Sequence, residues 1–92
     1  METTPAQVII YSKPSGCFGC AKTKALFEKA GVPFVEVDIT ANAAALEYIS
    51  EELGYAQAPV VIYECAGSVN HWSGLDPVQI AQTIALYKEQ NT

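Results

Sequence analysis

The apolar positions of this 92-residue chain follow two spacings, one typical of strands and one typical of helices. An unbroken apolar run at residues 8–11 predicts a strand over residues 7–12 that is covered on both faces. Residues 34–39 alternate apolar with acidic side chains, which predicts a strand near a sheet edge with one wetter face. A β-branched run at residues 58–63 and a further run at residues 68–72 predict a hairpin.

Three other segments place apolar residues three and four positions apart, which predicts helices at residues 17–30, 42–53 and 77–88. Gly31 and Gly54 follow the first two as C-terminal stops, while Asp76 and Pro77 supply an N-cap and a first helical residue for the third. The side chains expected to face the core are Ala21, Leu26, Phe27 and Ala30 in the first helix, Leu46, Ile49 and Leu53 in the second, and Ile80, Ala81, Ile84 and Tyr87 in the third.

The resulting order, β-α-β-α-β-β-α, predicts one α/β domain over residues 1–92, with a mixed four-stranded sheet flanked by three helices. We expect a right-handed crossover between the first two strands. Sheets of this kind bind ligands at the carboxyl ends of their parallel strands. The segment that follows the first strand contains Cys17 and Cys20, so the candidate chemistry lies at that end.

A Cys-x-x-Cys pair at the start of a helix is typical of a redox site. The first turn has backbone N–H groups without intrahelical partners and the positive end of the helix dipole, and both favour a thiolate at Cys17. Cys17 is therefore the expected nucleophile. Cys20 lies nearly one turn later on the same face, with Cα atoms roughly 5 Å apart at that spacing, so it can resolve a mixed disulfide formed at Cys17.

Two other interpretations of the cysteines stay open at this point. A zinc-binding interaction module would use Cys17, Cys20, Cys65 and His71 as its four ligands. Alternatively, the cysteines are small buried apolar residues without chemistry. Zinc modules need the metal because their cores are small, whereas this chain has three amphipathic helices and apolar strands of its own. We therefore favour redox chemistry, with no metal and with Cys65 as a spare thiol.

The net charge of −5 and the absence of arginine argue against binding to nucleic acid or to an anionic membrane. The N-terminal residues lack the basic start and apolar run of a signal peptide, and no apolar stretch approaches the ~20 residues that span a bilayer. We expect a cytoplasmic monomer. The lysines nevertheless cluster before and within the first predicted helix, where they would favour the Cys17 thiolate and attract an acidic partner; they are Lys13, Lys22, Lys24 and Lys29.

Three motifs resemble the glutaredoxin-like redoxins of the NrdH type, which have the thioredoxin fold. They are Tyr-Ser-Lys-Pro before Cys17-x-x-Cys20, Gln-Ala-Pro-Val at residues 57–60, and His-Trp-Ser-Gly-Leu-Asp-Pro at residues 71–77. The resemblance implies a dithiol–disulfide oxidoreductase whose redox-active Cys17–Cys20 pair carries electrons as a dithiol, with no other cofactor. It further implies that the chain donates electrons to class Ib ribonucleotide reductase and is reduced by thioredoxin reductase.

We also expect a set of partner-binding residues around the cysteines. Pro59 occupies the position of the family's cis-proline, and such a bond would turn the Ala58 backbone outward, where a substrate strand could pair with it; a trans proline that simply begins a strand is the alternative. Trp72 is either a docking residue or a buried hairpin tryptophan. The whole expected set is Lys13, Phe18, Ala58, Pro59, Trp72, Ser73 and Gly74.

A glutathione-dependent glutaredoxin is the alternative within the same fold. In that case Lys13, Pro59 and the turn at residues 74–76 would hold the carboxylates of the tripeptide. The chain departs from the NrdH pattern by having Phe18 and Gly19 between its cysteines. It also has Asp76 where the family often has arginine.

Overall fold

The computed structural model describes residues 6–13, 16–65 and 68–90. The strands within these residues are β1 (Gln7–Ser12), β2 (Val35–Asp38), β3 (Val60–Cys65) and β4 (Ser68–Ser73). The helices are α1 (Phe18–Lys29), α2 (Ala43–Glu47) and α3 (Pro77–Gln90), and α2 continues as a π-helical segment, Tyr48–Glu52. This order confirms the predicted β-α-β-α-β-β-α arrangement. The expected N-terminal tail and the hairpin turn fall largely on residues 1–5 and 66–67, outside the described residues.

The four strands form one mixed sheet in the order β2-β1-β3-β4. β1 lies parallel to β2 and antiparallel to β3, and β3 lies antiparallel to β4. β1 is therefore an interior strand, as its apolar run predicts, and Val8, Ile10 and Ser12 on it are fully buried. The carboxyl ends of β1 and β2 lie at the same end of the sheet, and α1 begins at that end, a few residues after β1.

The core lies on both faces of the sheet. On one face Val8, Ile10 and Val61 pack with Phe27 of α1 and Ile80 of α3 in a single buried cluster. A smaller cluster on the other face consists of Ile39, Ala45, Ile49 and Val60. The core thus holds α1 and α3 on one side of β1 and α2 on the other. None of the helices in the described part of the chain is long and apolar enough to cross a membrane.

β3 begins two residues later than the apolar run predicts, at Val60 instead of at residue 58. Proline has no N–H group to donate to a strand ladder, so Pro59 stays outside the strand. Its carbonyl oxygen accepts a hydrogen bond of 2.7 Å from the Gly74 N–H. The Ala58–Pro59 peptide bond is cis, as the sequence resemblance implies. The segment before β3 and the turn after β4 are thereby joined at the end of the sheet where the cysteines lie.

Candidate active site

Cys17 caps the N-terminus of α1. Its backbone is extended (φ −121°, ψ 96°), and its sulfur accepts a hydrogen bond of 3.1 Å from the Cys20 N–H. The Cys17 carbonyl oxygen accepts the Ala21 N–H, also at 3.1 Å. A side-chain acceptor at an N-cap satisfies one of the N–H groups that the first helical turn leaves free. The helix therefore begins one residue after the predicted start, with Cys17 as its capping group.

Cys17 and Cys20 form a disulfide, with Cα atoms 5.2 Å apart. The two sulfurs differ in their access to a partner. Cys17 is half-buried, whereas Cys20 is 1% exposed. Once the disulfide is reduced, a thiolate at Cys17 is favoured both by the Cys20 N–H and by the positive end of the helix dipole. The arrangement pairs an accessible, stabilised sulfur with a buried one beside it.

An open groove of about 400 Å³ lies beside Cys17. Lys13, Gly16 and Phe18 line it on the side of α1, and residues 56–58 line the other side. Lys13 is exposed and Ala58 is half-buried. The structure therefore brings Lys13, Phe18, Ala58 and Cys17 around one cleft.

Gly19 is held at the point where three segments meet. A Cβ atom at this position would lie 3.3 Å from Cδ of Pro59 and 3.6 Å from Cβ of Leu75. The first of these distances is shorter than ordinary contact between carbon atoms. The sequence signal for this approach is a glycine in the first turn of a helix, where it costs roughly 1 kcal/mol relative to alanine. In the sequence alone, Gly19 stands out only as a departure from the NrdH pattern.

The turn after β4 closes the far side of the site. Ser73 ends β4 opposite Val60 and is half-buried. Gly74 has a φ of +83°, a region that glycine adopts without steric cost, and a Cβ there would lie 3.0 Å from Nε2 of Gln57. Ser73 and Gly74 thus contact the segment around Pro59, through Val60 and Gln57 respectively. Gln57, which packs against Gly74, is a further site residue, and its only signal in the sequence is its place in the Gln-Ala-Pro-Val motif.

The interpretation of Trp72 as a docking residue is wrong. Trp72 is 5% exposed and belongs to the buried cluster that contains Val61 and Phe27. It stands opposite Val61 in the β3–β4 ladder, so its side chain lies on the face of the sheet that α1 and α3 cover. The alternative, a buried hairpin tryptophan, is the one that the structure bears out.

Phe18 is instead the aromatic side chain on the surface next to the disulfide. It is 77% exposed, which agrees with the expectation that a residue between the cysteines is available for contact. Leu75 and Val78, at the start of α3, are 37% and 66% exposed. Since Leu75 also approaches Gly19, apolar surface continues from Phe18 across the start of α1 toward α3.

The lysine cluster is less available to Cys17 than its position in the sequence suggests. Lys24 pairs with Glu36 of β2 at 2.7 Å, and the buried Ser12 hydroxyl donates to the same carboxylate oxygen, also at 2.7 Å. The hydrogen bond from Lys24, followed by that from Ser12, lowers the pKa of Glu36. Lys24 therefore ties α1 to the edge strand β2, and Lys13 is the lysine that lines the groove.

We expect this ion pair to make stability depend on pH in the acid range. A carboxylate with a lowered pKa stabilises the folded state above its ordinary pKa of 4.5, and that contribution is lost as the pH falls through the lowered value. Glu36→Gln should therefore reduce the free energy of unfolding at neutral pH. Its effect should shrink as the pH falls from 4.5 through the lowered pKa of Glu36. Denaturant unfolding across the acid range measures the free energy of unfolding of both proteins. Lys24→Gln should also reduce that free energy at neutral pH, because it removes the other half of the ion pair. An effect of Glu36→Gln that persists undiminished in acid would contradict the assignment.

The residues of the zinc alternative do not come together. Cys65 ends β3 opposite Ser68, at the end of the sheet away from the Cys17–Cys20 pair. His71 lies near the middle of β4 and its Nδ1 is 2.7 Å from the Tyr55 hydroxyl. Nowhere in residues 6–13, 16–65 and 68–90 do three or more His, Cys, Asp or Glu side chains form a group that could hold a metal ion.

Asp76 places a carboxylate at the start of α3. Its Oδ1 accepts the Gln79 N–H at 3.1 Å and its carbonyl oxygen accepts the Ile80 N–H at 3.0 Å. These contacts confirm the predicted N-cap. They also place a protein carboxylate at the helix end where an external carboxylate would bind most readily.

Comparison with known proteins places this site in a family. The sequence pattern of the glutaredoxin family matches residues 8–64, from β1 to β3. The chain belongs to the glutaredoxin family. Among curated proteins, the Gene 56 protein of Mycobacterium phage L5 is 32% identical over 92 residues, which cover 100% of this chain and 85% of that protein. The Gene 56 protein of Mycobacterium phage D29 is 28% identical over 100% of this chain and 98% of that protein.

Solved structures agree with the family and refine it. The glutaredoxin-like protein NrdH-redoxin from Escherichia coli matches with a TM-score of 0.71 and 32% identity, over 83% of this chain and 92% of that one. A glutaredoxin from Archaeoglobus fulgidus matches with a TM-score of 0.70 and 23% identity over 86% of each chain, which supports the fold. The chain is a glutaredoxin-like redoxin of the NrdH type with a thioredoxin-like fold. Its Cys-x-x-Cys pair makes it a thiol–disulfide oxidoreductase.

Proposed function

We propose that this redoxin reduces protein disulfides by attack of Cys17 and release by Cys20. The observation that supports these roles is the difference between the two sulfurs, because Cys17 is half-buried and accepts the Cys20 N–H, while Cys20 is 1% exposed. The Cys17 thiolate attacks one sulfur of the target disulfide and expels the other as a thiolate. Cys20 then loses its proton and attacks the Cys17 sulfur, which expels the second target thiolate and forms the Cys17–Cys20 disulfide. Two electrons pass to the target.

The proposed partners are class Ib ribonucleotide reductase as the target and thioredoxin reductase as the electron source, both in the cytoplasm. This proposal draws on the NrdH-type motifs and on the similarity to the Escherichia coli NrdH-redoxin, for which a thioredoxin-like activity profile is described. Because the Cys17–Cys20 pair carries both electrons in its dithiol form, we propose that the redoxin needs no further cofactor.

Glutathione is the competing electron source, and one observation favours it. Lys13 lies exposed in the groove beside Cys17, where its ammonium group could bind a carboxylate of the tripeptide. Two features oppose it. The redoxin has no arginine to hold a carboxylate with two parallel hydrogen bonds, and the Asp76 carboxylate stands at the start of α3. Thioredoxin reductase docks through a protein surface and does not require such a pocket.

We expect thioredoxin reductase with NADPH to reduce the Cys17–Cys20 disulfide at least about tenfold faster than millimolar glutathione with glutathione reductase, which corresponds to a barrier difference of about 1.4 kcal/mol. NADPH oxidation measures both reactions.

Asp76→Asn provides a matched test, because asparagine also caps helices but carries no charge. It should raise the glutathione-dependent rate and leave the thioredoxin reductase rate unchanged. Efficient turnover with glutathione and none with thioredoxin reductase would make the redoxin a glutathione-dependent glutaredoxin.

A further inference from the structure

α1 buries a hydroxyl group that has no hydrogen-bond partner. Thr23 is 0% exposed, and its Oγ1 is one of the buried side-chain atoms without a partner in the described part of the chain. Most buried polar side-chain atoms in proteins are paired, so an unpaired hydroxyl requires an explanation. The proposed exchange of thiols and disulfides at Cys17 and Cys20 does not use Thr23.

The position of Thr23 relates it to Cys20. The two residues are three positions apart on α1, so their side chains are neighbours on one face of the helix. The Cα–Cβ bond of a helical residue tilts toward the N-terminus, which directs the Thr23 side chain toward the turn that contains Cys20. Both side chains are buried, with 0% and 1% exposure. Water therefore has little access to either group.

The sulfur of Cys20 changes its hydrogen-bonding ability with the redox state. In this structure it is bonded to the Cys17 sulfur, and the Thr23 hydroxyl makes no hydrogen bond with it. Reduction breaks that bond and frees the Cys20 sulfur to move. The product is a thiol, which is a weak donor and acceptor, or a thiolate, which as an ionised acceptor forms a stronger hydrogen bond.

We propose that Thr23 is a positioning residue for Cys20, whose hydroxyl lacks a partner in the disulfide form and hydrogen-bonds the Cys20 sulfur in the dithiol form. A contact made only after reduction lowers the free energy of the reduced state relative to the disulfide. Thr23 thereby shifts the redox equilibrium of this chain toward the dithiol. The inference rests on the proposed redox roles of Cys17 and Cys20.

Charged groups around this end of α1 also influence the equilibrium. They are the Lys24–Glu36 pair between α1 and β2, Asp76 at the start of α3, Lys13 after β1, and, after reduction, the Cys17 thiolate. All of them remain in place when Thr23 alone is changed. A comparison of Thr23 variants at one pH therefore isolates the hydroxyl.

The test is the equilibrium of the full chain with dithiothreitol. In that reaction the Cys17–Cys20 disulfide and the dithiol of dithiothreitol exchange two electrons and two protons, which gives the reduced chain and the cyclic disulfide of dithiothreitol. Thr23→Val keeps the shape and removes the hydroxyl. It should lower the equilibrium constant for reduction of the chain about tenfold, equivalent to a potential about 30 mV lower. Thr23→Ser retains a hydroxyl and should stay close to the unmodified chain.

Thr83→Val is the matched control. Thr83 is 1% exposed and lies on α3, so the same change is made at a buried threonine of another helix. It should leave the equilibrium constant unchanged. An unchanged constant in Thr23→Val, or an equal shift in Thr83→Val, would overturn the proposal.

A second measurement does not depend on the variants folding. In a structure of the reduced, unmodified chain, the Thr23 hydroxyl should lie within hydrogen-bonding distance of the Cys20 sulfur, and a hydroxyl that remains unpaired there would refute the inference. A thiol count separates this result from the proposed function. If oxidation does not consume the thiols of Cys17 and Cys20, the redox pair itself is wrong. If it does and Thr23→Val has no effect, only the role of Thr23 fails.

Discussion

Cys17→Ser is expected to abolish the reduction of a protein disulfide, with a loss of rate on the order of a thousandfold or more, as when other enzymes lose their nucleophile. Cys17 is the half-buried member of the pair, and its sulfur is the one that accepts a backbone N–H at the start of α1. A serine hydroxyl cannot replace it because it is not ionised at neutral pH. The rate of insulin disulfide reduction measures the loss.

Cys20→Ser should give a different result, because the first attack needs only Cys17. The mixed disulfide between Cys17 and the target should then accumulate, since the residue that resolves it is missing. A non-reducing gel with mass spectrometry identifies that adduct. Cys65→Ser is the control, because Cys65 lies at the other end of β3 and should be dispensable. Trapping by Cys17→Ser instead of Cys20→Ser would reverse the two roles.

The order of elements could be predicted because local signals mark each boundary. Gly31 and Gly54 have φ values of +75° and +76°, which explains why glycine ends the first two helical segments. Asp76 and Pro77 begin α3 as predicted. These features depend on the conformational preferences of single residues, so they are visible without knowledge of the tertiary structure.

The buried faces of the helices were predicted less well. In α1 and α3 the structure buries Thr23 and Thr83, whereas Ala21 and Ala81, which we expected to face the core, are exposed. Apolar spacing does not select a threonine, and small alanines fit on either face. In the second helix Leu46 is 46% exposed and Ala45 is buried instead. A helical segment that changes from α to π geometry after five residues does not keep the phase that a regular period of 3.6 residues assumes.

The site shows the same division between local and distant signals. The cysteine pair and the exposure of Phe18 follow from their position at a helix start. The burial of Trp72 and the approach of Gly19 to Pro59 depend on how β4 and the turn after it pack against α1. Those contacts join residues about 40 to 55 positions apart in the chain, and no local pattern encodes them.

The burial of Trp72 leaves Phe18 as the exposed aromatic residue beside the cysteines, and we expect Phe18→Ala to weaken docking strongly. Phe18 is 77% exposed and adjacent to Cys17, so a protein that reaches the Cys17 sulfur must cover much of the ring. Truncating a central aromatic anchor costs 2 kcal/mol or more in many interfaces, equivalent to about a 30-fold weaker complex. The KM of a protein partner such as thioredoxin reductase for the redoxin should rise by about that factor. The kcat of the reaction should change little, because both sulfurs remain.

Leu86→Ala is the matched control for this variant. Leu86 is also an exposed apolar residue, at 47%, but it lies in the second half of α3, away from the start of the helix that approaches Gly19. It should leave KM unchanged. Phe18→Ala should also leave unchanged the rate with a small disulfide, which does not cover the ring. An unaltered KM for the protein partner in Phe18→Ala would remove Phe18 from the docking surface, and an equal loss with the small disulfide would show that the ring acts on the cysteines instead.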